Sequence, residues 1–335
     1  MKKTILTLLI ISAFGCSLFI TDCFSQSNWI LQSPLPTRNS LKEIIFLNQN
    51  TGYACALNGI IIKTTNGGIN WITLNTGIPN LDPVPYSIFF NDVSTGYVAF
   101  SRSLIKTTNG GDNWTIIDTG SYTTHGKICF ADYNTGYIVG SSIIRKTTNA
   151  GINWTIQTFQ NYYFYSCNFI NSLTGYISGG YYFSPKIGKT TDGGINWNFQ
   201  TVNFGGSNLE SVCFIGENTG YAAGDYYMVA KTTNGGIDWF TQHAQAGMYL
   251  HAIHFINAQT GVVVGDAISK TSDGGSNWSY FNLGMSKRLN SLFLVDTTVG
   301  YTAGNGGLIL KTNDGGNNWD VTSSGTWRYI NSLFF

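Results

Sequence analysis

Charged residues are scarce in this sequence. Asp, Glu, Lys and Arg together make up 10% of the 335 residues, and the formal net charge is +1 at pH 7. Proteins that bind nucleic acid or an anionic membrane surface usually carry a clustered basic surplus, and a near-neutral chain supplies none. We therefore expect no nucleic acid and no membrane surface among its partners.

A sustained helical periodicity is also missing, because no window of the chain repeats its apolar residues every 3.6 positions. The apolar residues fall instead in short runs rich in Ile, Val, Tyr and Phe, bounded by Gly, Asn, Asp or Thr. In the first period these runs are 41–46, 52–57, 60–63 and 71–74. Runs of this length and composition predict β-strands, so the sequence predicts an all-β fold.

One nine-residue phrase recurs seven times, and its final tryptophans lie 39 to 43 residues apart. Four short antiparallel strands in each period of about 40 residues are typical of a β-propeller. The unbroken repeat predicts one propeller domain over 26–335, with seven full blades. The seven phrases are KTTNGGINW, KTTNGGDNW, KTTNAGINW, KTTDGGINW, KTTNGGIDW, KTSDGGSNW and KTNDGGNNW.

We interpret each phrase, here called a box turn, as the hairpin between the third and fourth strands of a blade. Thr64 and Asn66 are short polar side chains that can bond backbone N–H groups across the turn. Trp71 begins the outer strand, where its ring is expected to wedge between neighbouring blades. Because Ala150 replaces the first glycine of the third copy, the second glycine is the better supported one. The predicted structural positions are Asn66, Gly68, Trp71, Asn109, Trp114, Asn149, Trp154, Asp192, Trp197, Asn234, Trp239, Asp273, Trp278, Asp314 and Trp319.

The box turns resemble the Asp-box, or BNR, repeat, (Ser/Thr)-x-Asp-x-Gly-x-x-Trp, although Asn66, Asn109, Asn149 and Asn234 stand in place of the aspartate. A Thr-Gly-Tyr triplet such as Thr51-Gly52-Tyr53 opens the second strand of five repeats. The combined pattern resembles the propeller family of photosystem II stability and assembly factors and related secreted bacterial proteins. The resemblance implies the fold over nearly all of 26–335 and implies little about activity, because one fold hosts many functions.

The N-terminus is typical of a secretory signal. Lys2 and Lys3 precede the apolar core 5–14, and cleavage is expected after Ser25, which predicts a signal peptide over 1–25. The apolar span is too short for a transmembrane helix. A lipoprotein anchored through Cys16 is the alternative. The protein is expected in the periplasm, at the cell surface or outside the cell, as a monomer.

The two ends of the chain leave the blade count open. Residues 28–30 match the fourth strand of a blade, and 329–335 match a first strand. Propellers often close by letting an N-terminal strand complete the last blade, which would require two more strands after Phe335. We therefore expect a truncated sequence and an eighth blade or a further domain, unless seven blades close in another way.

Four cysteines remain after the expected cleavage, at Cys55, Cys129, Cys167 and Cys213. All four lie in the middle of predicted strands. Buried thiols behaving as small hydrophobes are the main expectation. In a secreted chain, a Cys129–Cys167 or Cys167–Cys213 disulfide across neighbouring blades is the alternative.

The candidate binding residues lie in the loops that join strands four to one and two to three. These loops share one face, here called the top face, opposite the box turns. Exposed aromatic and basic residues there could hold a protein or a glycan. The alternative is that these residues bind nothing: the aromatic rings would only pack over blade edges, and the arginines would only be solvated. The candidates are Tyr181, Tyr182, Phe183, Tyr226, Tyr227, Arg38, Arg288 and Arg328.

Carboxylates and histidines give no catalytic or metal constellation. Asp225 and Asp266 occupy equivalent turns of adjacent repeats, as a glycosidase pair could, but such turns favour Asp anyway. The three glutamates form no cluster in sequence. His251 and His254 lie three apart in a predicted strand, so we expect them to face opposite sides and to bind no metal. No cofactor is predicted.

Three functions are compatible with these features of the sequence. The first is a non-enzymatic secreted scaffold, similar to the assembly factors, that binds a protein or glycan through its top face. The second is an Asp-box glycoside hydrolase of the sialidase or endoglucanase type. A sialidase needs three grouped arginines and a Tyr–Glu nucleophile pair, and neither is visible among five arginines. The third is a structural surface repeat without a specific ligand.

Overall fold

A computed structural model describes residues 37–78, 81–119, 126–181, 184–203, 208–244, 249–281 and 288–323. All of them belong to one compact unit, Leu35–Phe335. Within these ranges no helix has the length and apolarity needed to cross a membrane. The predicted signal peptide, the strand-like segments 28–30 and 329–335, and the residues Tyr182, Phe183 and Arg328 lie outside the described residues.

The unit is an all-β propeller of antiparallel blades, as predicted. Five blades have four strands each, paired in chain order, so that the first strand of a repeat is innermost and the fourth is outermost. Their strands are β1 (Leu41–Phe46), β2 (Gly52–Ala56), β3 (Ile60–Thr64) and β4 (Ile72–Leu74); β5 (Pro85–Phe90), β6 (Gly96–Phe100), β7 (Ser103–Thr107) and β8 (Thr115–Thr119); β15 (Leu209–Phe214), β16 (Gly220–Gly224), β17 (Met228–Thr232) and β18 (Phe240–His243); β19 (Leu250–Phe255), β20 (Gly261–Gly265), β21 (Ile268–Thr271) and β22 (Ser279–Phe281); β23 (Leu289–Leu294), β24 (Gly300–Gly304), β25 (Ile309–Thr312) and β26 (Asp320–Ser323), with a short 3₁₀ turn at Asn305–Gly307.

The expectation of seven blades, or of an eighth, is wrong, because the described residues form six. The third and fourth repeats share one six-stranded sheet made of β9 (Lys127–Phe130), β10 (Gly136–Thr147), β11 (Thr155–Phe169), β12 (Gly175–Tyr181), β13 (Ser184–Thr190) and β14 (Asn198–Thr201). β11 runs from the end of the third repeat directly into the start of the fourth, so no loop separates the two repeats. The chain bends within β10 and β11 at Ser142 and Asn161, which have positive φ angles of 61° and 66°.

The blades pack through a recurring set of three aromatic rings. Tyr53 of the first repeat stacks on Phe90 of the second at a centroid distance of 3.9 Å, and Phe90 meets Trp114 edge-on at 6.2 Å. Trp114 belongs to the same core cluster as Tyr53 and Phe90, at the contact between the first and second repeats. A Cβ on Gly96 would lie 2.5 Å from the Phe90 ring. This contact explains why a glycine precedes the tyrosine in the Thr-Gly-Tyr triplet.

Each box turn is held by its threonine. Thr64 Oγ1 donates to Asn66 Oδ1 (3.0 Å) and accepts from the Gly68 N–H (3.0 Å), while Asn66 Oδ1 also accepts from the Asn70 N–H (2.9 Å). Where aspartate occupies the asparagine position, as at Asp192, the backbone N–H of Asn196 lowers the carboxyl pKa to about 2. Asn and Asp therefore serve equally here, because the turn needs only the shared oxygen acceptor.

The box turns also join neighbouring repeats. Tyr53 Oη and Lys63 Nζ both donate to the Gly110 carbonyl of the next box turn, at 3.0 and 2.9 Å. Tyr301 Oη and Lys311 Nζ donate in the same way to the Gly67 carbonyl, at 3.0 and 3.2 Å. The seventh repeat is thus bound to the first, and the ring closes through these contacts.

We expect the Thr64→Val substitution to lower the free energy of unfolding by about 1–3 kcal/mol, because it leaves the buried Gly68 N–H without its acceptor. Thr64 is 1% exposed. Thr65→Val is the matched control, since Thr65 is exposed and its change should stay within roughly 0.5 kcal/mol. Urea denaturation of both variants provides the measurement. Equal effects would show that the turn is not held by the Thr64 hydroxyl.

Candidate functional site

The innermost strands enclose a central cavity of about 770 Å³. β1, β5, β9, the second half of β11, β15, β19 and β23 all contribute to its lining. A cavity of this volume is in the range that proteins use for ligands. It is the natural place to look for a site, because every repeat contributes a different side chain to it.

The cavity wall is held by side chains that reach from one inner strand to the backbone of the next. Ser87 Oγ accepts from the Ile128 N–H (3.0 Å), Ser211 Oγ from the Ile253 N–H (3.2 Å), and Ser291 Oγ from the Ile44 N–H (3.2 Å). Ser166 does the same for Val212, at 3.3 Å. Glu43 takes the serine position in the first repeat and accepts from the Ile88 N–H (2.7 Å).

Two repeats lack an acceptor at this position, and each has a substitute. Ala252 has no polar side-chain atom, and His254 Nδ1 accepts from the Leu294 N–H instead (2.9 Å). Lys127 is a donor only, and a Cys129–Cys167 disulfide connects β9 to β11 there. Lys127 forms an ion pair with the buried Glu43. Desolvation lowers the pKa of Lys127 to about 8.

The disulfide corrects the main expectation of four buried thiols. Cys55 and Cys213 are free, and only Cys55 is fully buried. Cys213 packs with Tyr221 and Phe255, towards the sixth repeat, so the Cys167–Cys213 alternative is wrong as well. Burial raises the pKa of the Cys55 thiol to about 12 and that of Cys213 to about 11, so both are inert at neutral pH.

Thiol titration of residues 26–335 under denaturing, non-reducing conditions should therefore find two thiols, and full reduction should raise the number to four. Ellman's reagent in guanidinium chloride gives the count directly. Four thiols before reduction would contradict the Cys129–Cys167 bond, and the Cys213→Ser variant should lower both counts by one.

One end of the cavity carries a ring of polar side chains, here called the collar. They occupy equivalent positions in the inner strands of six repeats, Lys42, Tyr86, Tyr165, Glu210, His251 and Asn290, and Arg288 joins them from just before β23. Desolvation, with a smaller contribution from Asp225, raises the pKa of Glu210 to about 7. Desolvation and nearby Arg288 lower the pKa of His251 to about 4. The collar therefore mixes hydrogen-bond donors and acceptors, and at neutral pH it combines the cations Lys42 and Arg288 with a partly ionised Glu210.

Sequence reasoning considered Glu210 and the histidines but did not bring them together. His251 and His254, which the sequence predicts to face opposite sides of a strand, are both among the residues that line the cavity. A register shift between Leu250 and Ala252 interrupts the alternation of β19. Glu43 and Glu210 also line this one cavity although they lie far apart in sequence. The sequence signal for these cavity residues is a polar residue at the second position of a repeat's first strand, which is otherwise mostly apolar.

Two predicted aromatic residues, Tyr226 and Tyr227, form the turn between β16 and β17 at the collar end. They are 52% and 43% exposed, and both have positive φ angles, 62° and 64°. The equivalent turn of the first repeat uses Asn58-Gly59, with φ of 66° and 70°. Bulky side chains are disfavoured in this conformation. This repeat therefore presents two tyrosines to solvent at a cost in backbone energy.

Arg288 lies at the same end. Its guanidinium lies over the Tyr249 ring, 5.4 Å from the centroid, and its Nε is 3.8 Å from Asp266 Oδ1. Asp225, in the turn before Tyr226, forms a backbone bridge with Tyr249. Arg288, Tyr249, Asp225 and the Tyr226–Tyr227 turn thus form one surface beside the collar, here called the mouth. Sequence reasoning missed Tyr249.

The other predicted site residues behave differently. Tyr181 packs against Tyr162 at a centroid distance of 4.9 Å, and Tyr162 packs on Phe199 at 4.7 Å, so these rings form one cluster on the enlarged sheet. Arg38 is exposed at the start of the first repeat. Arg145 is buried and forms an ion pair with Asp118 at 2.8 Å. Of the described arginines only Arg288 lines the cavity, and the described residues contain no group of three potential metal ligands.

Comparison with known proteins gives the same fold. Residues 238–325 match the family described as photosynthesis system II assembly factor YCF48. A solved structure of YCF48 from Cyanidioschyzon merolae has a TM-score of 0.69 and 18% identity, covering 84% of this chain and 97% of that one. A structure titled YCF48 bound to D1 peptide has a TM-score of 0.68 and 15% identity, covering 83% and 94%.

A glycoside hydrolase propeller is also similar. The GH74 xyloglucanase from Xanthomonas campestris has a TM-score of 0.65 and 11% identity, covering 86% of this chain and 55% of that one. Among curated proteins, no sequence matches the chain. At these identities the structural matches show the fold alone. Together with the family match, they show that the chain is a BNR-like β-propeller that resembles the photosystem II assembly factor.

Proposed function

We propose that the protein is a non-enzymatic scaffold that holds an extended segment of a protein partner at the mouth of its propeller. The observation that carries this proposal is the Tyr226–Tyr227 turn, where two half-exposed tyrosines are kept in a disfavoured backbone conformation. Such strain persists where function requires it more often than elsewhere in a fold. Tyrosine is also enriched where proteins bind one another.

The collar supports a peptide as the occupant. A peptide backbone alternates N–H donors with carbonyl acceptors, and the collar offers acceptors at Glu210 and Asn290 beside donors at Lys42 and Arg288. The similar fold of the protein titled YCF48 bound to D1 peptide is consistent with peptide binding by such propellers. We place the protein outside the cytoplasm, after removal of residues 1–25.

Affinity capture tests the proposal. Residues 26–335 serve as bait against the envelope and culture fluid of the producing cell, beside a Tyr249→Ala/Arg288→Ala variant. We expect a protein that the first bait retains and the variant loses by tenfold or more. Matched retention by both baits, or a partner lost equally by a Thr65→Ala variant on the box-turn side, would contradict binding at the mouth.

Glycoside hydrolysis is the second candidate, and Glu210 favours it. A glycosidase needs one carboxyl held neutral as an acid near a second carboxylate, and Glu210, with its pKa near 7, is electrostatically coupled to Asp225. A reducing-sugar assay with xyloglucan and carboxymethylcellulose separates the two functions. Turnover by the parent protein that disappears in Glu210→Gln would support the hydrolase. No turnover by the parent protein would support the scaffold.

A further inference from the structure

We propose that the Cys129–Cys167 disulfide is a redox-controlled latch, and that its reduction by a dithiol loosens the cavity wall between the third and fourth repeats. Its use as a regulator of partner binding rests on the proposed function. The latch itself follows from the packing of the inner strands.

The contact between β9 and β11 differs from the other contacts between inner strands. Elsewhere a side-chain oxygen or nitrogen accepts from the backbone of the next inner strand, as Ser87 accepts from the Ile128 N–H (3.0 Å). The equivalent residue in the third repeat is Lys127, whose ammonium cannot accept a hydrogen bond. The Cys129–Cys167 disulfide therefore takes the place of the hydrogen bond found between the other inner strands. Unlike that hydrogen bond, the disulfide can be broken by reduction.

The same strand carries the latch and part of the site. β11 contains Cys167, and two residues before it Tyr165, a collar residue. Tyr163, a further two residues back, is 49% exposed. On the opposing strand, Lys127 lies two residues from Cys129 and is paired with Glu43. A shift of β9 against β11 therefore moves the collar residue Tyr165 on one side of the disulfide and the Lys127–Glu43 ion pair on the other.

The reaction needs a dithiol and no other reactant. One thiolate of the reductant attacks a sulfur of the disulfide and forms a mixed disulfide, while the other cysteine leaves as a thiolate and takes a proton. The second thiol of the reductant then displaces the first cysteine, so the reductant is oxidised to a disulfide and two thiols remain on the protein. Both cysteines line the cavity, which gives a small dithiol its route.

Hydrogen exchange with mass spectrometry tests the latch on residues 26–335, with dithiothreitol as the reductant and thiol counts confirming reduction. We expect reduction to speed exchange in β9 and β11 by tenfold or more and to leave β19 and β23 unchanged. Cys129→Ser/Cys167→Ser should exchange like the reduced protein with or without dithiothreitol, whereas Cys213→Ser should respond like the parent. No change on complete reduction, or a uniform rise in every blade, would overturn the proposal.

A rescue variant tests the cause. Lys127→Ser restores the acceptor found in other repeats and should suppress most of the reduction-dependent exchange in β11. Lys127→Ala removes the same ammonium without supplying an oxygen, so it should leave the response in place. Equal behaviour of the two variants would overturn the account of this contact. These measurements need no partner, so their outcome is independent of whether affinity capture finds one.

Discussion

Replacing Tyr226-Tyr227 by Asn-Gly should abolish partner capture while raising the free energy of unfolding by about 1–3 kcal/mol. Asn-Gly is the pair that forms the equivalent turn in the first repeat, where Asn58 and Gly59 have φ angles of 66° and 70°. The backbone of the turn can therefore remain unchanged while both rings are removed. The stability gain arises because Asn and Gly tolerate positive φ far better than tyrosine.

The opposite signs of the two effects make this prediction specific. A variant that loses a partner because it unfolds would show reduced stability, and this variant should show the reverse. Urea denaturation and affinity capture on the same preparation provide both values. The reciprocal exchange, Asn58-Gly59 to Tyr-Tyr, should destabilise the protein by a similar amount and leave capture intact. Retained capture by the Asn-Gly variant would mean that the exposed tyrosines hold no partner.

Acidification should destabilise the propeller between about pH 6.5 and pH 4, with His254 as a principal cause. Desolvation, with a smaller contribution from Lys127, lowers the pKa of His254 from 6.5 to about 4, and its Nδ1 accepts from the Leu294 N–H. Between these two pH values the unfolded chain binds a proton at this residue and the folded chain does not. The contribution of His254 is therefore present above pH 6.5 and is lost as pH falls, by up to roughly 3 kcal/mol, while the raised pKa of Glu210 acts in the opposite direction over the same range.

The His254→Asn substitution isolates this effect. Asn168 occupies the equivalent position in the fourth repeat, and its Oδ1 accepts from the Phe214 N–H at 3.0 Å. An asparagine at 254 can therefore keep the contact between inner strands without titrating. Melting temperatures at pH 7.5 and pH 4.5 should differ less for this variant than for the parent. An unchanged pH dependence would show that other groups, His251 first among them, dominate acid unfolding.

The fold was largely readable from sequence because it rests on local signals that repeat. The Thr-x-Asn-x-Gly turn, the glycine before Tyr53 and the tryptophan at Trp71 each satisfy a contact within or next to their own repeat. The number of blades was not readable. Whether two repeats join depends on how the single segment around Asn161 bends, and one residue with positive φ is not visible in a repeat pattern.

The site was less predictable than the fold. Exposed residues such as Tyr226 and Arg288 could be proposed from their loops, but the collar residues Tyr165, Glu210 and His251 meet only once the ring is closed. The sequence predicts free thiols as the main expectation and the disulfide only as the alternative, because it does not show that Lys127 leaves a serine position without an acceptor. Contacts between side chains of different repeats cannot be predicted by aligning the repeats with one another, because the alignment does not show which residues meet in space.

Site-specific photocrosslinking in the producing cell tests the central claim most directly. A benzoylphenylalanine placed at position 227 lies at the mouth, and one at position 65 lies on the exposed box turn of the opposite face. We expect a crosslinked protein partner from position 227 and none from position 65. Crosslinking from position 65 alone, or equally from both positions, would contradict a binding site at the mouth of the propeller.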